Sequence, residues 1–270
     1  MIFGLDEVTV IESGQTALGE VDVEVAPGSI TVLIGADGAG KSTAAGVMVG
    51  LRRPDGGRVR RPPRRKIGYQ PEAAGTWAEL TVAENLAFVA AAHKLGRSQK
   101  PRIDALLEVT DLTGATDRLA GQLSGGMRQK LAVAMAMLPD PELVVLDEPT
   151  TGLDPISRSE LWRLLARSAG EGTAVLATTS YLDEAERADD VVVLDEGRVL
   201  ATGSAAEIRA GFIGTIAVSD VSVAGDHAWR RGPRWRVWSP DGSTPPGLLR
   251  VAPDLEDVVT AAALLRRESA

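Results

Sequence analysis

The 270-residue chain contains no cysteine, which excludes a disulfide framework, a thiol nucleophile and any cysteine metal site. Histidine is nearly missing too, at two residues, so a zinc centre built on imidazoles has little to draw on. No apolar run approaches the roughly 18–20 residues that span a bilayer. If the chain serves a membrane process, the membrane path belongs to other chains. The first residues show no basic stretch followed by an apolar core, so no secretory signal is expected. There is no basic excess: 29 Lys and Arg stand against 37 Asp and Glu, a net charge of −8. That balance argues against a general nucleic-acid binder. What remains is an ordinary globular composition, 44% hydrophobic, in a chain long enough for one good core and a small extra domain.

One local exception to the acidic balance lies between residues 52 and 66. Arg52, Arg53, Arg58, Arg60, Arg61, Arg64, Arg65 and Lys66 cluster there, broken by Pro54, Gly56, Gly57, Pro62 and Pro63. The composition suits a loop or short hairpin with a solvated surface. Contact with anionic lipid headgroups or an acidic partner is the sharper alternative. Nucleic acid lacks the interleaved aromatics it would need.

The most informative stretch is Gly35-Ala36-Asp37-Gly38-Ala39-Gly40-Lys41-Ser42, which fits G-x-x-x-x-G-K-[ST], the phosphate-cradling P-loop. It follows the β-branched apolar run Ile30–Ile34 and precedes Thr43–Met48, which can start a helix. Strand, glycine loop and helix are the context the motif requires. Glycines let backbone N–H groups turn inward on a phosphate, and the helix N-terminus adds partial positive charge. Lys41 is expected at the β/γ-phosphates, with the amides of Gly38, Ala39 and Gly40, and the Ser42 hydroxyl on Mg²⁺. In isolation, a glycine turn with a chance lysine would read the same way.

Leu143–Leu146 is a second apolar run, ending in Asp147 and Glu148. A strand buried on both faces reads like this in a parallel sheet, and open α/β sheets bind ligands at the carboxyl ends of their strands. Asp147 there can share the Mg²⁺ with Ser42, and Glu148 can polarise the water that attacks the γ-phosphate. Two acids at a strand end could otherwise be a solvated turn.

Leu123-Ser124-Gly125-Gly126-Met127-Arg128-Gln129 stands before that strand, and Glu148-Pro149-Thr150-Thr151-Gly152-Leu153-Asp154-Pro155 follows it. Alone, Ser-Gly-Gly is an ordinary turn before a helix. Between a P-loop and an Asp-Glu strand, it closely resembles the signature of ATP-binding cassette (ABC) transporter ATPases, a likeness covering about residues 5–203. The resemblance implies a P-loop NTPase, an α/β fold with a RecA-like core, an antiparallel β subdomain and a helical subdomain at about 75–138. It implies ATP and Mg²⁺ as ligands and a head-to-tail dimer with a copy of this chain or a different cassette. Ser124, Gly125 and Gly126 would act on the partner's ATP, and Asp154 would couple the two sites. It also implies a membrane permease as partner, with the chain cytoplasmic and peripheral at the inner face of the membrane. The unbroken signature and the closing Leu255-Glu256-Asp257-Val258 lean towards efflux of the multidrug-export type.

Three positions depart from that family's pattern, all at one ATP site. Glu12 stands where an aromatic residue usually stacks on adenine, with Phe3 as the substitute that could reach the base. Glu72 stands for the Gln-loop glutamine, while Gln70 sits two residues early as a second candidate for metal and water. Ser180 stands for the switch histidine. Serine can hydrogen-bond a γ-phosphate but carries no positive charge, and losing such a donor slows phosphoryl transfer. Together these point to a site that binds ATP and turns it over slowly, its signature completing the site of a second cassette. The alternative is neutral drift in a working ATPase. Two rivals from other classes are a soluble cassette of DNA repair or ribosomes and a non-catalytic nucleotide-binding subunit.

Elsewhere, residues 1–34 read as short strands with turns at Ser13-Gly14 and Pro27-Gly28. Thr81-Val82-Ala83-Glu84 reads as a capping box opening a helix towards His93, with further helices from Pro101 to Asp111 and over Arg128–Leu138. Asp154-Pro155 starts another, and Thr173–Thr178 and Asp190–Leu194 read as core strands. The ATPase domain is expected over residues 1–203 and a small α+β domain over 204–270. In that domain Trp235–Trp238 suits a half-buried strand, and Leu255, Val258, Val259, Ala262 and Leu265 form one helical face.

Overall fold

A computed structural model describes residues 1–73, 75–96 and 99–269, the side chains of residues 268 and 269 excepted. It divides into two compact units, Met1–Val199 and Leu200–Ala270.

The first unit opens with β1 (Phe3–Glu12) and β2 (Gln15–Val25), an antiparallel hairpin. Its turn places Ser13 and Gly14 at φ 49° and 82°, the positive pair that matches strand twist in a two-residue turn. Then come β3 (Ile30–Ile34), α1 (Lys41–Val49), β4 (Gly56–Arg60) and β5 (Ile67–Gln70). The helical stretch is α2 (Val82–Ala92), α3 (Gln99–Val109) and α4 (Gly125–Met137). The chain returns through β6 (Leu143–Leu146), α5 (Pro155–Gly170), β7 (Ala174–Thr179), the short α6 (Leu182–Ala185), β8 (Asp190–Asp195) and β9 (Arg198–Gly203).

The main sheet has six strands in the order β5-β6-β7-β3-β8-β9, and a three-stranded antiparallel sheet runs β2-β1-β4. Pairs β5/β6, β6/β7, β3/β7 and β3/β8 are parallel. Strands β3, β6 and β7 are buried at every residue, as expected of a parallel sheet covered on both faces. Ala44, Ala45, Val47 and Met48 of α1 share one core with β1, β2 and the sheet. Small residues on α1 allow that close approach on two sides.

The cationic segment is largely spent within the fold. Arg60 pairs with Asp6 and Glu24, and Lys66 with Glu142. Arg61 donates to the Val47 and Met48 carbonyls, and Arg64 to that of Gly50. Those are the orphan acceptors at the C-terminal end of α1, where a cation also meets the negative end of the helix dipole. Helix-end chemistry, rather than a lipid surface, accounts for these four side chains.

In the second unit, α7 (Ala205–Ala210) precedes β10 (Thr215–Ser219), β11 (Ala228–Arg231), β12 (Arg234–Ser239), β13 (Leu249–Val251) and α8 (Leu255–Ser269). The strands form a sheet in the order β11-β12-β10-β13. Ile216, Trp238 and Ala261 centre its core. The buried face of α8 runs through Leu255, Val258 and Ala261, while Leu265 is 47% exposed, so the face is rotated from the apolar pattern expected. The cause is polar: Asp257 is fully buried and takes the Arg236 guanidinium. Burial pushes its carboxyl up from the usual range. Among the described residues no helix is long and apolar enough to cross a membrane.

Candidate active site

Strand order brings the sequence-predicted residues together. Because β6, β7 and β3 are adjacent and parallel, their carboxyl ends deliver Asp147, Ser180 and the P-loop to one edge. The loop closes tightly. Gly40 has φ 102°, and a Cβ on it would lie 2.8 Å from the Ala17 carbonyl oxygen. A Cβ on Gly35 would lie 2.3 Å from the Leu194 oxygen. Only glycine fits either position.

Lys41, 6% exposed, sends Nζ to the carbonyls of Gly35 (2.8 Å) and Ala36 (3.2 Å) and to Ser180 Oγ (3.0 Å). Its ammonium also lies 3.3 Å from Glu148 Oε1. The Ala39 amide turns back on the Ala36 carbonyl at 3.1 Å, so of the three loop amides expected on phosphate this one is engaged within the loop. Ser42 Oγ donates to Asp147 Oδ1 at 3.1 Å.

Glu148 is 8% exposed and has φ 51°, a left-handed conformation uncommon for a residue with a Cβ. Its surroundings fix it there. Its amide donates to Thr178 Oγ1 (2.9 Å), and its carbonyl accepts from Gln129 Nε2 (3.1 Å). Its carboxylate accepts from Ser180 Oγ (2.9 Å) and, on the other oxygen, from Thr151 Oγ1 (3.0 Å). Thr178 also donates to Asp147 Oδ1 at 2.6 Å. Thr178, Thr151 and Gln129 were given no role from sequence. Thr178 carried the clearest signal, a hydroxyl two residues before Ser180 in an otherwise apolar strand.

The segment after β7 is anchored in turn. The Arg158 guanidinium lies over the Tyr181 ring at 4.3 Å and pairs with Asp183 (3.5 Å) and the buried Glu184 (3.4 Å). Thr150 donates to Glu184 at 3.0 Å.

A cavity of about 380 Å³ runs along the P-loop, lined by Glu12, Ala17, Asp37, Gly38, Gly40, Lys41, Ser42, Thr43, Glu72 and Glu148. Glu72 therefore reaches the wall. Gln70 lies fully buried outside that lining, its Nε2 on the Pro71 and Asp147 carbonyls. Phe3 sits in the β-subdomain core at 5% exposure and does not line the cavity. A base stack from that ring is ruled out by its place under the hairpin.

Ser124, Gly125, Gly126 and Asp154 are not part of this lining either. Ser124 caps α4 through the Met127 amide (3.2 Å), and Ser124 and Gly125 are exposed. A Cβ on Gly126 would sit 3.2 Å from Leu153, so α4 packs closely on the loop that carries Asp154. Asp154 caps α5 through the Ile156 and Ser157 amides. Hydrogen bonds from Ser157 hold its carboxyl below the usual range.

The ABC transporter family profile matches residues 18–151. The chain is 42% identical over 198 residues to the probable multidrug ABC transporter ATP-binding protein YbhF of Escherichia coli, covering 69% of this chain and 34% of that one. It is 41% identical over 206 residues to the daunorubicin resistance ATP-binding protein DrrA3 of Streptomyces coeruleorubidus, covering 72% and 65%. It thus spans about a third of the first and somewhat under two thirds of the second. A solved structure described as the ATP-binding subunit of an ABC transporter superposes with a TM-score of 0.72 at 32% identity, over 78% of this chain and 92% of that one.

Proposed function

We propose, for a chain that belongs to the ABC transporter family of ATP-binding proteins, that it binds Mg·ATP, hydrolyses it, and drives a separate membrane permease in efflux. The observation that carries this reading is the buried constellation of Lys41, Ser42, Asp147, Glu148 and Ser180 at the ends of three adjacent strands. Lys41 and the unspent amides at the start of α1 hold the β- and γ-phosphates. Phosphate oxygens compete with Glu148 for the ammonium, and the freed carboxylate then faces the attacking water. Thr151 and Ser180 keep it aligned while it takes the water's proton.

Magnesium fits the residues present. Ser42 Oγ and Asp147 Oδ1 are hard oxygen donors 3.1 Å apart. Among the described residues no group of three His, Cys, Asp or Glu could hold a metal alone. Mg²⁺ bound through one or two protein oxygens, phosphate oxygens and water matches that set. The ion supplies charge neutralisation at the γ-phosphate, and Glu72 is placed on the wall to hold water.

The exposed Ser124, Gly125 and Asp154, lying outside the chain's own cavity, support service to a second cassette across a head-to-tail dimer. The neutral Ser180 hydroxyl favours slow turnover by this site, and with it a different, faster cassette as partner. A groove of about 180 Å³ lined by Tyr69, Pro71, Trp77, Val89, His93 and Met135 offers a permease contact at the cytoplasmic side of a membrane. Residues 1–203 would act as the ATPase domain, with 75–138 as its helical part, and 204–270 as a separate support.

The test is phosphate release by the purified chain beside Glu148→Gln and Lys41→Ala. The reading expects Glu148→Gln to lose at least about 100-fold in rate while still binding ATP, and Lys41→Ala to lose binding. Equal rates in wild type and Glu148→Gln would exclude hydrolysis here.

A further inference from the structure

The proposed nucleotide cavity has two unlike ends. One is closed by Lys41, Glu148 and Ser180, which hold the γ-phosphate side. The other opens on the β1–β2 hairpin, where Ala17 and Glu12 form the wall. No aromatic ring lines the cavity. What stands at the open end is an ion pair, Glu12 with Arg52. The Arg52 stem reaches there across Gly46, where a Cβ would come within 3.3 Å of its Cγ and Cδ. Both partners keep water contact, with side chains 42% and 46% exposed.

We infer that this cavity reads the triphosphate and leaves the base unread: it accepts purine and pyrimidine nucleoside triphosphates alike, stacking the base on the Arg52 guanidinium that Glu12 holds in place. The inference rests on the function proposed above for the same cavity. A guanidinium plane stacks on heteroaromatic rings, and such stacking tolerates any base because every base has a π-face. Strong discrimination arises when the wrong ligand leaves a buried polar group unpaired. Here the polar groups are half-exposed, so water satisfies whatever the base does not. The Glu12 carboxylate is moreover committed to Arg52, and cannot select an amino group without giving up its partner.

The experiment is competition binding on the full chain with Mg²⁺, comparing ATP, GTP, CTP and inorganic tripolyphosphate, in wild type, Arg52→Ala and Glu12→Ala. The expected result is that the three nucleotides agree within about threefold, a spread smaller than that from one methylene in a selective pocket. Arg52→Ala weakens all three by a common factor of about 5, on the scale of one lost stack, and leaves tripolyphosphate unchanged. Glu12→Ala weakens the nucleotides in the same direction. ATP preferred over GTP and CTP by about 30-fold or more would overturn the inference and leave the proposed function standing. So would an Arg52→Ala loss shared equally by tripolyphosphate. Failure of all four ligands to bind would overturn both.

Discussion

Glu148 is held by more contacts than a simple base requires, and its behaviour should show it. A non-glycine residue at positive φ costs of order 1–3 kcal/mol and persists only where its neighbours over-determine it. Here Thr178, Gln129, Thr151 and Ser180 all contribute. Thr151→Val frees one carboxylate oxygen without touching the phosphates. It is expected to lower kcat about 3- to 10-fold with KM unchanged, the pattern of an interaction that matters mainly in the transition state. A rise in KM instead would place Thr151 in binding. Ser180 separates two ideas about the site. If the missing cation limits turnover, Ser180→His should raise kcat by about tenfold or more, the scale of one electrostatic donor to the γ-phosphate. A lower rate in steady-state hydrolysis would mean that the hydroxyl bridging Lys41 and Glu148 is the fitted group and that the departure limits nothing. Much of this residue-level picture was legible in the chain, because the P-loop, Asp147 and Glu148 are short motifs whose spacing carries their chemistry. Thr178, Thr151 and Gln129 were not, because their roles come from neighbours on other strands and helices, which spacing does not encode. Phe3 failed as a base partner for the same reason: nothing local says that its ring points into the hairpin core.

Elements whose ends are signalled chemically were readable to within a few residues, as at Thr81, Asp154 and the Ser13-Gly14 turn. Strand order was not readable, since it depends on which apolar runs share a core, and the face of α8 was misjudged because a buried Asp257 counted as polar. Close element packing makes two predictions. On β5, a Cβ at Gly68 would lie 2.1 Å from the Ala136 carbonyl of α4. Gly68→Ala should therefore destabilise the fold by about 1–3 kcal/mol, the usual cost of overpacking, read by denaturant unfolding. An unchanged midpoint would mean that α4 moves freely away from β5. The two capping boxes predict an acid response. Hydrogen bonds from Thr81 hold the Glu84 carboxyl below its usual value, and those from Ser204 do the same for Glu207. Carboxyls depressed in the folded state contribute stability that is present above the unfolded value, near 4.5, and is lost as pH falls through the lower folded value. Glu84→Gln should flatten the decline in thermal stability across that window, measured by helical circular dichroism against pH. A decline as steep as wild type would assign acid sensitivity to other groups.

At the scale of the molecule, charge and incompleteness set the behaviour. Glu12, Asp37, Glu72 and Glu148 line the cavity against the single ammonium of Lys41, in a chain of net charge −8. A bare triphosphate meets repulsion there that a divalent cation removes. Chelating Mg²⁺ should weaken ATP binding by about tenfold or more, a change of 1.4 kcal/mol or more, followed by equilibrium titration. Affinity independent of the metal would contradict the Ser42–Asp147 assignment. The wider claim is that one cavity is half a site and that Ser124, Gly125 and Gly126 belong to the other half. Mixing two inactive chains tests it most directly. Lys41→Ala keeps the signature and loses the phosphate grip, while Ser124→Arg keeps the grip and blocks the signature. The account predicts that each alone is inactive and that mixing them restores ATP hydrolysis, through the one composite site with both halves intact. If Ser124→Arg alone hydrolyses ATP at the wild-type rate, the signature serves no second site and the head-to-tail account is contradicted.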